Sequence, residues 1–169
     1  MLRMNEGKTF ELAGTIWRVL DKMPEGYLCI ADSIGDKRFG NNNNWKESSL
    51  RRFLNTEFLE KIENEIGQGM LVEFERNLLS LDGQTEYGTC RDKVSLISFD
   101  EYRKYRALLP NTGYWWWTLT PDSTKCNGNN SWMSVVAPSG DFSGRGYYGD
   151  YGVRPFCIFS SSLFESGEN

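Results

Sequence analysis

A chain of 169 residues has room for one domain that buries about 70% of the surface its unfolded form exposes. Its 23 acids against 19 Lys and Arg leave a net charge of −4, with no basic block, so nucleic acid and anionic membranes are poor partners. Histidine is absent, which removes the commonest general base, the commonest metal ligand and every Ser-His or Cys-His nucleophile pair.

The first residues lack the apolar core of a signal peptide, and no run is long enough to span a membrane, so no membrane insertion is expected. Residues 8–20 read as paired strands around Gly14, with Trp17 and Val19 alternating against Arg18. Residues 23–26 supply a turn, and 27–31 the next, largely buried strand. Residues 35–44 read as loop, and the four asparagines that close it are expected to stay out of the core. A helix starts near Ser48 or Ser49, with Leu50, Phe53 and Leu54 on one face and Arg51 and Arg52 turned outward. A second short helix around Phe58, Leu59 and Ile62 carries Glu57, Glu60 and Glu63 toward water.

Residues 70–74 read as a strand and 82–89 as loop, with Asp82-Gly83 a turn signal. Residues 94–97 form a strand feeding a helix whose Ser98 and Glu101 have capping-box spacing, with Phe99 and Tyr102 sharing a face. Pro110 and Gly113 end that region. Four cysteines (Cys29, Cys90, Cys126 and Cys157) are widely spaced with no CxxC, so neither a zinc knuckle nor a redox pair is expected. Their even number allows two disulfides, but free thiols are favoured because Cys29 and Cys157 lie in apolar runs.

The stretch 114–159 holds four of the six tryptophans and four of the eight tyrosines. It reads as strands at 115–119 and 132–137, a turn at 138–140, an aromatic-glycine segment, and a strand at 153–159. Pro155 cannot donate to a ladder, so that last strand is expected to be an edge or to be bulged there. On a strand, Trp115 and Trp117 point one way and Trp116 the other. Large rings mixed with Asn, Ser and Gly make the composition of a recognition surface, as in antibody loops. Calcium takes six to eight oxygen ligands, and with Asp122, Asp141 and Asp150 as the nearby carboxylates no calcium site is expected.

Five motifs in order carry a resemblance: residues 16–20, 50–55, 92–98, 115–121 and 152–155. Together they resemble an uncharacterised domain family of bacteria and their phages, over roughly 8–159. That family is similar to the C-type-lectin-like fold of formylglycine-generating enzymes. Those enzymes need a close pair of reactive cysteines that binds copper; here Cys126 and Cys157 lie far apart in sequence, so their chemistry is not carried over.

The Trp-rich strand, the Gly-rich region and the Gly-Val-Arg-Pro end at 152–155 also resemble the variable proteins of diversity-generating retroelements. In those systems a reverse transcriptase rewrites a C-terminal stretch at adenines, chiefly in Asn codons. That resemblance implies exchangeable, ligand-binding positions at Asn127, Asn129, Asn130, Ser131, Ser143, Arg145, Tyr147, Tyr148 and Asp150. It leaves Trp115, Trp116, Trp117, Lys125, Trp132 and Met133 as scaffold or fixed contacts.

The expectation is therefore an α+β, C-type-lectin-like domain over 1–160, with 115–159 as the variable ligand-binding region and a frayed polar tail at 161–169. Its core is expected from Trp17, Val19, Leu28, Ile30, Leu50, Phe53, Leu54, Leu96, Val153 and Ile158. No catalytic residue, metal or cofactor is assigned. The partner is a protein or glycan ligand on a cell surface, met from a phage virion or a bacterial surface. The alternative is a fixed structural or assembly module of a phage tail or bacterial surface complex.

Overall fold

Ala13 (φ 54°) and Gly14 (φ 74°) are both left-handed, the geometry a two-residue hairpin needs to match strand twist. They join β1 (Thr9–Leu12) to β2 (Thr15–Lys22), which pairs with β3 (Gly26–Ala31) as expected. A computed structural model describes residues 5–165, so residues 1–4 and the last four of the predicted tail lie outside it. The architecture is α+β, built mostly from antiparallel strands with a few short helices.

One sheet has the order β1-β2-β3-β12-β5, where β5 is Leu71–Val72 and β12 is Phe156–Ser160. The second runs β10-β9-β8-β11-β4, from β10 (Phe142–Gly146) through β9 (Trp132–Val136), β8 (Trp116–Pro121) and β11 (Asp150–Gly152) to β4 (Asp36–Arg38). Its β8–β11 pairing is parallel, at Gly152 and Trp116. A separate ribbon joins β6 (Phe74–Asn77) to β7 (Thr89–Asp92).

Trp116 and Trp117 enter opposite cores, as strand alternation requires. Trp117 meets Phe39 in the cluster that also holds Trp45 and Leu54; Trp116 meets Tyr102 in the cluster that also holds Ile30 and Phe156. Of the ten expected core residues, nine are buried; Phe53 is half-buried beneath Lys37.

The predicted helix pair is one helical run. Ser48 caps α1 (Ser49–Phe53) through the Arg51 amide, a π-turn follows over Leu54–Phe58, and α2 (Leu59–Ile66) continues. Leu50, Leu54, Phe58 and Ile62 recur every four residues and are all buried. The capping box of α3 (Phe99–Lys104) forms as read, with both Ser98 and Glu101 engaged.

Several expectations are corrected. The predicted strand at 70–74 breaks at Glu73, and its halves join different sheets as β5 and β6. Residues 94–97 form no strand and pair through a single bridge, Ser95 with Phe156. β12 is an interior strand, because Pro155 lies ahead of it, outside the ladder. The start of the tail is helix α4 (Ser161–Glu165), whose Phe164 ring meets Phe10, Tyr27 and Phe159. The 35–44 loop contains β4 and two fully buried side chains, Phe39 and Asn43, so the asparagine run does reach the interior. The four cysteines, by contrast, are free thiols as expected, with Cys29 and Cys157 buried opposite each other on β3 and β12.

Candidate functional site

The loop from Asp122 to Ser131, between β8 and β9, is held from beneath by Asn43. A buried side-chain amide is stable where both its ends find partners. Asn43 Nδ2 donates to the carbonyls of Ser123, Asn129 and Trp132, each at 3.1 Å. Its Oδ1 accepts from the Tyr87 hydroxyl, whose oxygen in turn accepts from the Lys125 amide at 3.0 Å. The Asn43 amide also donates to the Asn130 carbonyl at 2.9 Å.

A second tie comes from residues 80–86. Leu81 N donates to Pro121 O, and Asp82 N to Asp122 O. The Asp82 carboxylate accepts from Ser123 Oγ at 2.6 Å, from the Ser80 hydroxyl and from Asn127 Nδ2 at 3.1 Å. Those bonds, with Ser123 and then Ser80 foremost, hold Asp82 below its ordinary carboxylate range. The Cys126 amide does the same for Glu86, donating to Oε2 at 2.7 Å. Gly128, left-handed at φ 78°, closes the short 3₁₀ turn Lys125–Asn127.

The tyrosine turn at 147–149 is pinned on both sides, Tyr147 N donating to Ser131 O at 3.0 Å and Phe39 N to Tyr147 O at 3.1 Å. The Tyr148 ring lies over Gly146, so a Cβ there would require that exposed ring to swing aside.

The nine predicted positions fall into groups on this frame, and none is buried. Asn127, Asn129, Asn130 and Ser131 share the braced loop and adjoin Tyr147 through its bond to Ser131. Two of them also fix the loop: Asn127 reaches Asp82 and Ser123, and Asn129 Oδ1 accepts from the Ser131 and Trp132 amides. Tyr147 is half-buried under Arg38 and meets Tyr148 edge-on. Asp150 is exposed and pairs in register with Arg38.

Ser143 and Arg145 point to the other face of β10. Their register partners there are Val135 and Met133, and Arg145 sits 4.4 Å over Trp115 while donating to Ser143 Oγ. The alternate residues Gly144 and Gly146 face the side of Ser134 and Trp132. Trp132 is 43% exposed and Tyr148 58%, and they flank Gly146. Asp122 lies against Gly144, its carboxyl pushed up by burial and then by the charge of Asp82.

Sequence reasoning did not assign Asn43, Tyr87 or Asp82 to the site. Asn43 carries no local signal, since its partners lie more than forty residues away. Among the described residues no group of three or more His, Cys, Asp or Glu is placed to hold a metal. No helix among those residues is long and apolar enough to cross a membrane.

The family described as "Domain of unknown function (DUF6273)" matches residues 27–161. No curated protein and no solved structure matches the chain.

Proposed function

The chain belongs to the DUF6273 family, and on that premise we propose that it is a ligand-binding domain that displays exchangeable side chains on a rigid scaffold. One observation carries the reading. Asn130, Tyr148 and Asp150 are exposed, while the main chain bearing the loop and the turn is bonded to buried Asn43, to Phe39 and to Tyr87. Loops held in one conformation lose little ordering entropy on binding. Tyr adds contact area at little entropic cost. The ligand class is a protein or glycan on a cell surface.

The scaffold proposed is C-type-lectin-like. In its support, the first three strands share a sheet with β12 near the far end of the chain, and the excursion between them builds the second sheet with the candidate surface. The variable-protein reading is tested at the locus itself. It expects a reverse-transcriptase gene and a near-copy of codons 115–159 differing at adenines, with isolates diverging at the nine positions. A locus without either, and invariant among isolates, favours a fixed assembly module instead.

A further inference from the structure

A groove of about 530 Å³ lies between the 49–66 helical run and the β6–β7 ribbon, remote in role from the recognition loop. Small-molecule sites span roughly 300–1,000 Å³. Lys46, Arg51, Arg52, Arg91 and Lys93 line it, against the three carboxylates of Glu47, Glu73 and Asp92. Buried Asp92 is committed to Arg51 Nε at 2.7 Å and to Trp45 Nε1 at 2.8 Å. Glu73 holds Arg91 at 2.9 Å, and Glu47 accepts from Asn42 rather than from a cation. Lys46, Arg52 and Lys93 thus have no ion-pair partner among the described residues, although the chain as a whole is acidic.

Like charges gathered around one groove repel unless an anion enters it. Arg51 is positioned for one: the Asp92 carboxylate and the carbonyls of Lys46 and Arg91 fix its guanidinium, yet engage three of its five N–H groups. The Arg91–Glu73 pair is more than half exposed, so it is weakly held and Arg91 is free to turn to a better anion. Asn55 clamps the Lys93–Val94 segment to the helix, donating to Val94 O at 2.8 Å and accepting from Val94 N at 3.0 Å. Thr56 and Leu59 supply hydroxyl and apolar wall for a part of the ligand that is not charged.

We propose that this groove binds a small organic anion of the phosphate-ester class. Phosphate oxygens meet Lys46, Arg51, Arg52 and Lys93 in charge-assisted bonds, and the volume beyond a single oxyanion takes the organic group. The test is calorimetric titration and thermal melting with glucose 6-phosphate, inorganic phosphate and glucose as probes, ionic strength matched with sodium chloride. Expected are saturable binding and a rise in Tm with glucose 6-phosphate, about tenfold weaker binding of inorganic phosphate, and none of glucose. An R52Q/K93Q double variant weakens glucose 6-phosphate by about tenfold or more with the unliganded Tm unchanged, and K46Q alone weakens it in the same direction. Equal Tm shifts from phosphate and chloride, or binding unaltered in both variants, would overturn the site. Inorganic phosphate binding as tightly as glucose 6-phosphate would overturn the organic part of the ligand.

Discussion

Asn43 ties three carbonyls of the 122–132 segment and the Tyr87 hydroxyl into one buried network. Replacing it with Ala leaves Trp132 O its bond from the Asp122 amide and the Tyr87 hydroxyl its bond from the Lys125 amide, so the Ser123 and Asn129 carbonyls are the groups orphaned. At about 1–3 kcal/mol for each, Asn43→Ala should cost about 2–6 kcal/mol by denaturant unfolding. Hydrogen exchange should quicken at the Lys125, Cys126 and Asn129 amides while β12 stays protected. The carboxylates beside this network differ in sign. Asp82 and Glu86 titrate below their ordinary values in the fold, so their stabilisation is full above about pH 4 and is lost as pH falls through the lowered values. Asp122 titrates above its ordinary value, so its contribution is present below about pH 4 and is lost as pH rises through the raised value. Asp122→Asn should accordingly raise Tm at pH 7, and melting curves at pH 3.5 should show that gain gone.

Elements whose signals are local were legible. The Gly14 hairpin, the Ser48 cap and the Ser98–Glu101 capping box depend on residues within four positions of each other. What escaped was set by distant partners. Residues 70–74 look like one apolar run, but β12 takes Leu71 and Val72 while β7 takes Phe74, so the chain must break at Glu73. The tail looks polar by composition, yet Phe164 finds an aromatic pocket made by Phe10, Tyr27 and Phe159, and that contact orders α4. Phe164→Ala should cost about 1–2 kcal/mol, less than the 3–5 of a fully buried Phe, because the ring is half-buried. Chemical denaturation measures it, and a change near zero would mean that α4 does not brace the first sheet. At the candidate site, composition and resemblance single out nine positions that the fold leaves unburied, but the division of β10 into an Arg145 face and a glycine face needed the register with β9.

At the scale of the molecule, two sheets share the helical run as a common brace. The Trp-rich strand divides its rings between two core clusters, and the 122–131 loop and tyrosine turn rest on the second sheet. Exposed substitutions away from caps and cores shift stability by about 0.5 kcal/mol or less. Asn130, Tyr148 and Asp150 meet that condition, whereas Asn127 and Asn129 also anchor the loop and should be less freely exchanged. The most direct measurement is the distribution of melting temperatures across a library randomised at Asn130, Tyr148 and Asp150. A narrow distribution within a few degrees of the parent is expected, about 0.5 kcal/mol per site at these positions. Widespread loss of the cooperative transition would contradict the account, because those side chains would then be holding the fold together instead of being displayed on it.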